Sequence, residues 1–144
     1  IMNKLFDKIL TFHKENGGTG KLFKFQFIEY KKGHLKLEGE FSNQTLNPGG
    51  SVQGGMMNSM LDDVTSLLII YESDGNLYPN STNLHSIHHR PLFSGKVTAT
   101  AQLLKRGKNI ATVMGEIHNS DGKLATTLVH TMVLSKSLNK LKTK

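Results

Sequence analysis

The sequence predicts an α+β domain in which an antiparallel six-stranded sheet wraps around one long central helix. Two strand-like segments precede a helix-like apolar repeat in the middle of the chain, and four more strand-like segments follow it. A long helix between blocks of consecutive strands is typical of this fold class. At 144 residues the chain is expected to form a single domain, with its core over about residues 20–135.

In the first half of the chain, the spacing of apolar residues predicts a helix, a hairpin and a second helix. Apolar residues at helical spacing predict a helix over residues 2–15. Alternating apolar residues on both sides of a turn at residues 31–33 predict two paired strands. Helical spacing of apolar residues returns from about Gly55 to Glu72, which predicts the long central helix.

In the second half of the chain, the residue pattern predicts four consecutive strands. Alternation of apolar and polar residues between glycine-containing turns places them near residues 81–90, 96–105, 108–119 and 123–134. An exposed edge of such a sheet favours pairing with a second copy of the chain. Residues 136–144 are expected to form a basic tail outside the sheet.

Composition argues against several functional classes. Four lysines of the tail account for more than half of the net charge of +7, so nucleic-acid binding is not expected of the domain. The absence of cysteine excludes a disulfide framework and a thiol nucleophile. The longest wholly apolar run, residues 67–71, is too short to cross a membrane, which takes about 20 residues. We therefore expect a cytoplasmic protein that does not enter the membrane.

A glycine-rich segment leading into the central helix is the strongest functional signal. Asn47 opens the segment, Gly54 and Gly55 stand at the start of the helix, and Asp62 follows about two turns later. Free N–H groups at a helix N-terminus, together with a carboxylate, can polarise and attack a carbonyl group. The polar stripe of the helix around Asp62 carries small residues such as Thr65 and Ser66 and no Lys or Arg. This composition suits a lined cavity as well as it suits a surface.

These residues resemble the PaaI-type acyl-CoA thioesterases of the hotdog-fold superfamily. The shared pattern is an Asn, then His or Gln followed by two glycines, then an Asp, and the chain meets it with Asn47, Gln53, Gly54, Gly55 and Asp62. The resemblance covers nearly the whole domain. It implies a hotdog fold, a homodimer or dimer of dimers with active sites at the dimer interface, and hydrolysis of a small or medium-chain acyl-CoA, aryl groups included. No cofactor is implied.

The resemblance also implies roles for individual residues. Asp62 would act as general base for water or as nucleophile, and the Gly55 N–H would donate to the thioester oxygen. Asn47 would orient the loop or the water, and Ser81 matches a water-positioning serine. Gln53 stands where many relatives have His, and its amide can donate a hydrogen bond but cannot titrate. A non-catalytic hotdog protein that binds acyl-CoA is therefore the alternative, and a hotdog hydratase or dehydratase is a third hypothesis.

Further residues are candidates for binding acyl-CoA. Gly54 would leave room for the substrate, and Ser66 would contact it. The coenzyme phosphates need cations, for which Arg90 at a strand end is one candidate. A basic turn is the other candidate, although a solvated hairpin tip explains it equally well; it comprises Lys105, Arg106, Gly107 and Lys108.

Three neighbouring histidines and one acid receive ordinary interpretations. His85 and His89 share one face of a strand but are separated by roughly 13 Å, and His88 points to the other face. Surface or interface positions are predicted for them, and no metal is expected. Asp63 projects about 100° away from the preceding acid on the helix. A hydrogen bond or an ion pair at a subunit boundary is predicted for it.

Overall fold

The computed structural model describes residues 4–137, which fold into two α-helices, one short 3₁₀ helix and a six-stranded sheet. The α-helices and strands are α1 (Lys4–Asn16), β1 (Gln26–Lys31), β2 (His34–Phe41), α2 (Gly54–Glu72), β3 (Leu77–His88), β4 (Gly95–Arg106), β5 (Ile110–His118) and β6 (Leu124–Lys136). The predicted α+β class is confirmed, and so is the antiparallel sheet. Residues 2 and 3 of the predicted first helix, and the tail from residue 138 onward, lie outside the described residues.

The sheet has the order β1-β2-β4-β5-β6-β3, and every neighbouring pair is antiparallel. Helix α2 packs against β2 and the four later strands, and α1 packs against α2. The long helix therefore lies on the inner face of the sheet, as predicted. Strand β3 stands at one edge, next to β6 alone. No helix in residues 4–137 combines the length and the apolar character that crossing a membrane requires.

Close contact between α2 and the sheet depends on a glycine in β5. A Cβ added to Gly115 would lie 3.1 Å from side-chain atoms of both Leu61 and Thr65. The absence of a side chain there lets the helix approach the strand. Thr65 was predicted to lie on the polar stripe of α2 but is fully buried at this contact. Its hydroxyl is consequently part of the interior hydrogen-bonding network.

A β-bulge in β3 determines which side chains of this edge strand face α2. Ser81 pairs with Met132 of β6, Leu84 pairs with His130, and the register shifts between Ser81 and Asn83. Met132 and His130 are both fully buried, so their cross-strand partners face the inner side of the sheet as well. Bulges are common next to active sites, where they change the direction of a side chain. Here the bulge directs Ser81 toward the helix.

Candidate active site

Asp62 and Ser81, both predicted as site residues, lie next to each other in the structure. The Ser81 hydroxyl oxygen is 3.5 Å from Oδ1 of Asp62 and 2.7 Å from Nε2 of His130. The same ring nitrogen of His130 is 3.8 Å from Oδ1 of Asp62. A carboxylate on α2, a hydroxyl on β3 and an imidazole on β6 therefore meet on the inner face of the sheet.

The hydrogen bonds around His130 assign its ring protons. The Thr65 hydroxyl donates to the Leu61 carbonyl oxygen at 2.7 Å, so its oxygen accepts from Nδ1–H of His130, also at 2.7 Å. Nε2 of the neutral ring is then unprotonated and accepts the proton of the Ser81 hydroxyl. Burial lowers the pKa of His130 to about 4, so the ring is neutral at pH 7.

The surroundings of Asp62 make its carboxylate a stronger base than an exposed aspartate. Burial is the main reason that its pKa is raised, and the charge of Asp63 raises it further, while the hydroxyl groups of Ser81 and Ser66 oppose the change. The shorter of the two Ser81 contacts is the one to His130, so Ser81 directs its proton there. The hydroxyl has one proton for these two acceptors, so while that proton is on the side of His130 the Ser81 oxygen can accept a hydrogen bond from a water molecule beside Asp62.

Asp62 and Ser81 line a cavity of about 500 Å³ between α1, α2 and β3. Apolar side chains from α1, including Ile9 and Phe12, form part of its wall, and Ser66 lies on the α2 side. Small-molecule sites typically have volumes of about 300–1,000 Å³ and mostly apolar walls with a few polar groups. The cavity therefore has the size and the lining of a site for a small organic group.

Asp63 lies on the same cavity and has its polar contact within the chain. Its Oδ1 is 3.4 Å from Nε2 of His13 on α1. The sequence predicted such a contact at a subunit boundary, whereas the structure provides a partner from the N-terminal helix. Asp63 also acts electrostatically on Asp62, although the two side chains leave the helix in different directions.

The entrance of α2 presents backbone donors. Gln53 is the N-cap residue, and its own N–H donates to the Thr45 carbonyl oxygen at 2.9 Å, while its exposed side chain makes no capping hydrogen bond. Within residues 4–137, the N–H groups of Gly54 and Gly55 have no hydrogen-bond partner. The partial positive charge of a helix N-terminus favours an oxygen that develops negative charge.

The loop before this entrance is held together by Asn47. Its Oδ1 accepts from the N–H groups of Gly49 at 2.9 Å and Ser51 at 3.3 Å. Its Nδ2 donates to the Ser51 hydroxyl at 3.0 Å. The side-chain amide of Asn47 is therefore engaged in ordering the glycine-rich loop, which is one of the two roles predicted for it.

His88 packs against the entrance of α2, a position that the sequence did not indicate. Its Nδ1 is 3.2 Å from the hydroxyl of Thr126. Its Nε2 lies 3.2 Å from the point that a Cβ on Gly54 would occupy, so a side chain at that position would displace the ring. His85, His88 and His89 are all exposed, which agrees with the surface or interface positions predicted for them. The described residues contain no cluster of three or more potential metal ligands.

The cationic residues predicted to bind phosphate lie far apart within one chain. Arg90 follows the end of β3, where its Nε donates to the Leu124 carbonyl oxygen at 2.8 Å. The basic turn at residues 105–108 lies at the opposite end of the sheet, because Ile110 beside it pairs with Val133, and Val133 pairs with Asn80. About ten residues of strand separate the two sites, roughly 30 Å. One nucleotide cannot contact both of them in one chain.

The chain matches the family model of the Thioesterase superfamily over residues 49–126, which is more than half of its length. The chain belongs to this superfamily. The match includes both α2 with Asp62 and the first residues of β6, but it stops before His130. It also leaves out α1, which forms one wall of the cavity.

Solved structures give the same assignment. A phenylacetic acid degradation-related protein of Ralstonia eutropha is 30% identical, with 86% of this chain and 98% of that one covered at a TM-score of 0.72. The PaaI protein from the phenylacetic acid degradation operon of E. coli is 23% identical, with 90% and 92% covered at a TM-score of 0.77. A Streptococcus mutans protein bound to acetyl CoA is 16% identical, with 79% and 90% covered at a TM-score of 0.71. The predicted PaaI-type resemblance and the hotdog fold are confirmed.

The sequence indicated no role for His130 or Thr65, and it did not indicate the contact between His88 and the entrance of α2. A signal for His130 existed, because it alternates with Leu128 and Met132 in β6 and therefore falls on the inner face of the sheet. A histidine at such a position needs polar partners in the interior. The partners themselves, Thr65 and Ser81, lie 65 and 49 residues away in sequence, which no local pattern reveals.

Proposed function

We propose that this protein hydrolyses acyl-CoA thioesters, with a small or medium-chain acyl group, aryl groups included. The arrangement of Asp62, Ser81 and His130 beside the cavity is the observation that carries the proposal. Membership of the Thioesterase superfamily supports the reaction class. The acetyl CoA bound to the Streptococcus mutans neighbour supports a coenzyme A thioester as substrate.

The proposed reaction begins with a water molecule held between two oxygens. The water donates one hydrogen to the Asp62 carboxylate and the other to the Ser81 oxygen, whose own proton is engaged with His130. Its lone pair is then directed at the thioester carbon in the cavity. Asp62 removes the proton as general base, and its raised pKa increases its basicity. The tetrahedral intermediate then loses the thiolate as the C–S bond breaks, and the protonated Asp62 returns its proton to the departing sulfur. Thr65 and His130 act by orienting Ser81 and do not touch the reacting atoms.

The entrance of α2 is the proposed site for the thioester oxygen. The free N–H of Gly55 would donate to this oxygen as negative charge develops on it during attack. Gln53 cannot act as a proton shuttle, so the mechanism assigns it no proton transfer. Arg90 and the basic residues Lys105, Arg106 and Lys108 remain proposed phosphate contacts, and their separation means that different copies of the chain would supply them.

The proposal includes a homodimer, either alone or within a dimer of dimers. Gly55 and Asp62 are seven residues apart in α2, about 10 Å along the helix axis. A carbonyl oxygen lies about 3 Å from its donor, and the attacking atom about 3 Å from the carbon. Within one chain, a single thioester can therefore barely span the distance between the N–H of Gly55 and a water molecule on Asp62. A second copy joined at the β3 edge would supply the missing half at closer range.

The test is release of free thiol from a panel of short, medium, long and aryl acyl-CoAs. We expect turnover that falls by about two orders of magnitude or more in Asp62→Asn, the scale for loss of an acid–base group. Asp121→Asn, in the turn before β6, is the matched control and should keep wild-type turnover. Unchanged turnover in Asp62→Asn would remove this carboxylate from the mechanism. Saturable binding of acyl-CoA without turnover would instead favour a non-catalytic binding protein.

A further inference from the structure

A chain of hydrogen bonds fixes the orientation of the His88 ring. Thr126 is fully buried, and its hydroxyl donates to the sulfur of Met57 in the first turn of α2 at 3.1 Å. A thioether sulfur can only accept, so the Thr126 oxygen accepts from Nδ1–H of His88 at 3.2 Å. Nε2 of the neutral ring then carries a lone pair, and residues 4–137 offer it no hydrogen-bond partner.

The neutral form of this ring is favoured where it lies. Partial burial lowers the pKa of His88, and the neighbouring His89 lowers it further. The positive end of the α2 dipole is next to the ring and acts in the same direction. His88 is thus a hydrogen-bond acceptor at neutral pH, held beside the helix entrance, where the N–H groups of Gly54 and Gly55 have no partner within residues 4–137.

Nε2 of His88 lies close to the backbone donor that is proposed to bind the thioester oxygen. Nε2 lies beside Gly54, and Gly55 carries the N–H that the proposed function assigns to the thioester. The entrance of α2 therefore presents one donor and one acceptor side by side. A ligand that satisfies both needs an oxygen acceptor and an N–H donor a short distance apart.

The arm that carries an acyl thioester has this arrangement. In coenzyme A the sulfur is followed by two methylene groups and then by an amide N–H, so about four bonds join the thioester carbon to the amide nitrogen. All four of these bonds except the one to the thioester carbon rotate freely, so the segment can place the amide N–H at a range of distances from the thioester oxygen. With the thioester oxygen on Gly55, the amide N–H can reach His88.

We propose that Nε2 of His88 accepts a hydrogen bond from the first amide N–H of the thioester's carrier arm. The inference rests on the proposed function, because it uses the thioester oxygen on Gly55 as its anchor. It adds a binding residue that acts on the carrier side of the substrate and not on the acyl group. Coenzyme A and acyl-carrier protein have the same arm, so both carriers would be recognised through it.

The test compares two small thioesters that differ in one group. One is an acyl thioester of N-acetylcysteamine, and the other has an ester oxygen in place of the amide N–H. The wild-type protein should hydrolyse the first with a kcat/KM about tenfold higher, as expected for one hydrogen bond. In His88→Phe the ratio should fall to about one, and in His88→Gln, which keeps an acceptor, part of it should return. His85→Phe, on the same strand, is the control and should keep the wild-type ratio.

Each outcome separates this inference from the proposed function. A wild-type ratio near one overturns the inference while leaving thioester hydrolysis established. A His88→Phe protein that is slower on both compounds but keeps the ratio also overturns it, because the ring would then have a purely structural role. Hydrolysis of neither compound, nor of any acyl-CoA, contradicts the proposed function itself. Repeating His88→Phe with acyl-CoA and with acyl-carrier protein shows which carrier depends on the contact.

Discussion

Helix α2 carries two candidate functional regions, one at Asp62 and one at Gly55, and they differ in the chemical groups they offer and in their burial. At Asp62 the functional groups are side chains from three elements, connected to a fully buried His130 by short hydrogen bonds. At Gly55 they are backbone N–H groups at an exposed helix entrance, with one histidine beside them. The first region can hold and deprotonate a water molecule, and the second can stabilise an oxyanion. Hydrolysis of a thioester needs both.

Asp62 and the N-terminus of α2 need different surroundings, because a base and an oxyanion site depend on different properties. A base depends on the pKa of its own side chain, so Asp62 is placed where burial and a second acid raise it. An oxyanion site depends on donors that are already oriented, which the fixed geometry of a helix N-terminus provides without any side chain. Variants that affect one region alone can therefore show what each region contributes.

The largest change in kcat is expected from removing the backbone N–H of Gly55 at the entrance of α2. Gly55→Pro deletes the N–H but can remain helical, because proline is tolerated in the first turn of a helix. We expect kcat to fall by about 10²–10³-fold, the scale reported for loss of one oxyanion donor. Gly55→Ala keeps the N–H, and its Cβ would meet no atom closer than 3.9 Å, so it should retain near wild-type turnover. Equal activity of the two variants would show that the donor is not used.

A smaller effect is expected from the buried end of the network. Thr65→Val removes the acceptor that keeps the His130 proton on Nδ1. The proton can then move to Nε2, and Ser81 loses the partner that directs its hydroxyl. We expect kcat to fall about tenfold with little change in KM, the value of one hydrogen bond. Thr45→Val also removes a buried hydroxyl, one that donates to the Ser42 carbonyl oxygen, and should leave kcat unchanged.

The smallest expected effect is a shift in pH dependence. The proposed base, Asp62, accepts a proton only when ionised, so kcat/KM should fall as the pH drops through its pKa, which burial and the charge of Asp63 raise. Asp63→Asn removes that charge, so the acid limb of the pH profile should move to lower pH. His13→Gln breaks the same contact but keeps the charge of Asp63, and should not move the limb downward. If the acid limb of the pH profile is the same in Asp63→Asn and in the wild type, the charge of Asp63 does not influence the catalytic base.

Much of the fold was predictable because its signals are local. Alternation and helical spacing gave six strands and the long helix, and α2 begins at Gly54, one residue from the predicted start. Strand β3 begins at Leu77, four residues before the predicted start near residue 81, and it includes Pro79, which argues against a strand in sequence but is tolerated at the edge of a sheet. The glycine-rich loop and Asp62 were also readable, since the helix period places the loop and the acid at a fixed separation.

The parts of the site that the sequence did not reveal depend on tertiary contacts. The helical spacing placed Thr65 on the polar stripe, but Gly115 lets β5 cover it. The approach of Ser81 to Asp62 needs the bulge in β3, for which no residue pattern gave notice. His88 is exposed on the edge strand, which agrees with the prediction, but its contact with Gly54 requires the helix entrance to face that strand, and no local pattern reveals this.

The central claim is that the base and the oxyanion donor of one site come from two copies of the chain. Two inactive variants, Asp62→Asn and Gly55→Pro, can be combined by refolding them together and isolating the mixed dimer through two different tags. Each mixed dimer would contain one site with both lesions and one site with neither. The account predicts recovery of about half the wild-type turnover per mixed dimer. A mixed dimer as inactive as its parents would show that both groups act within one chain, and would contradict the account.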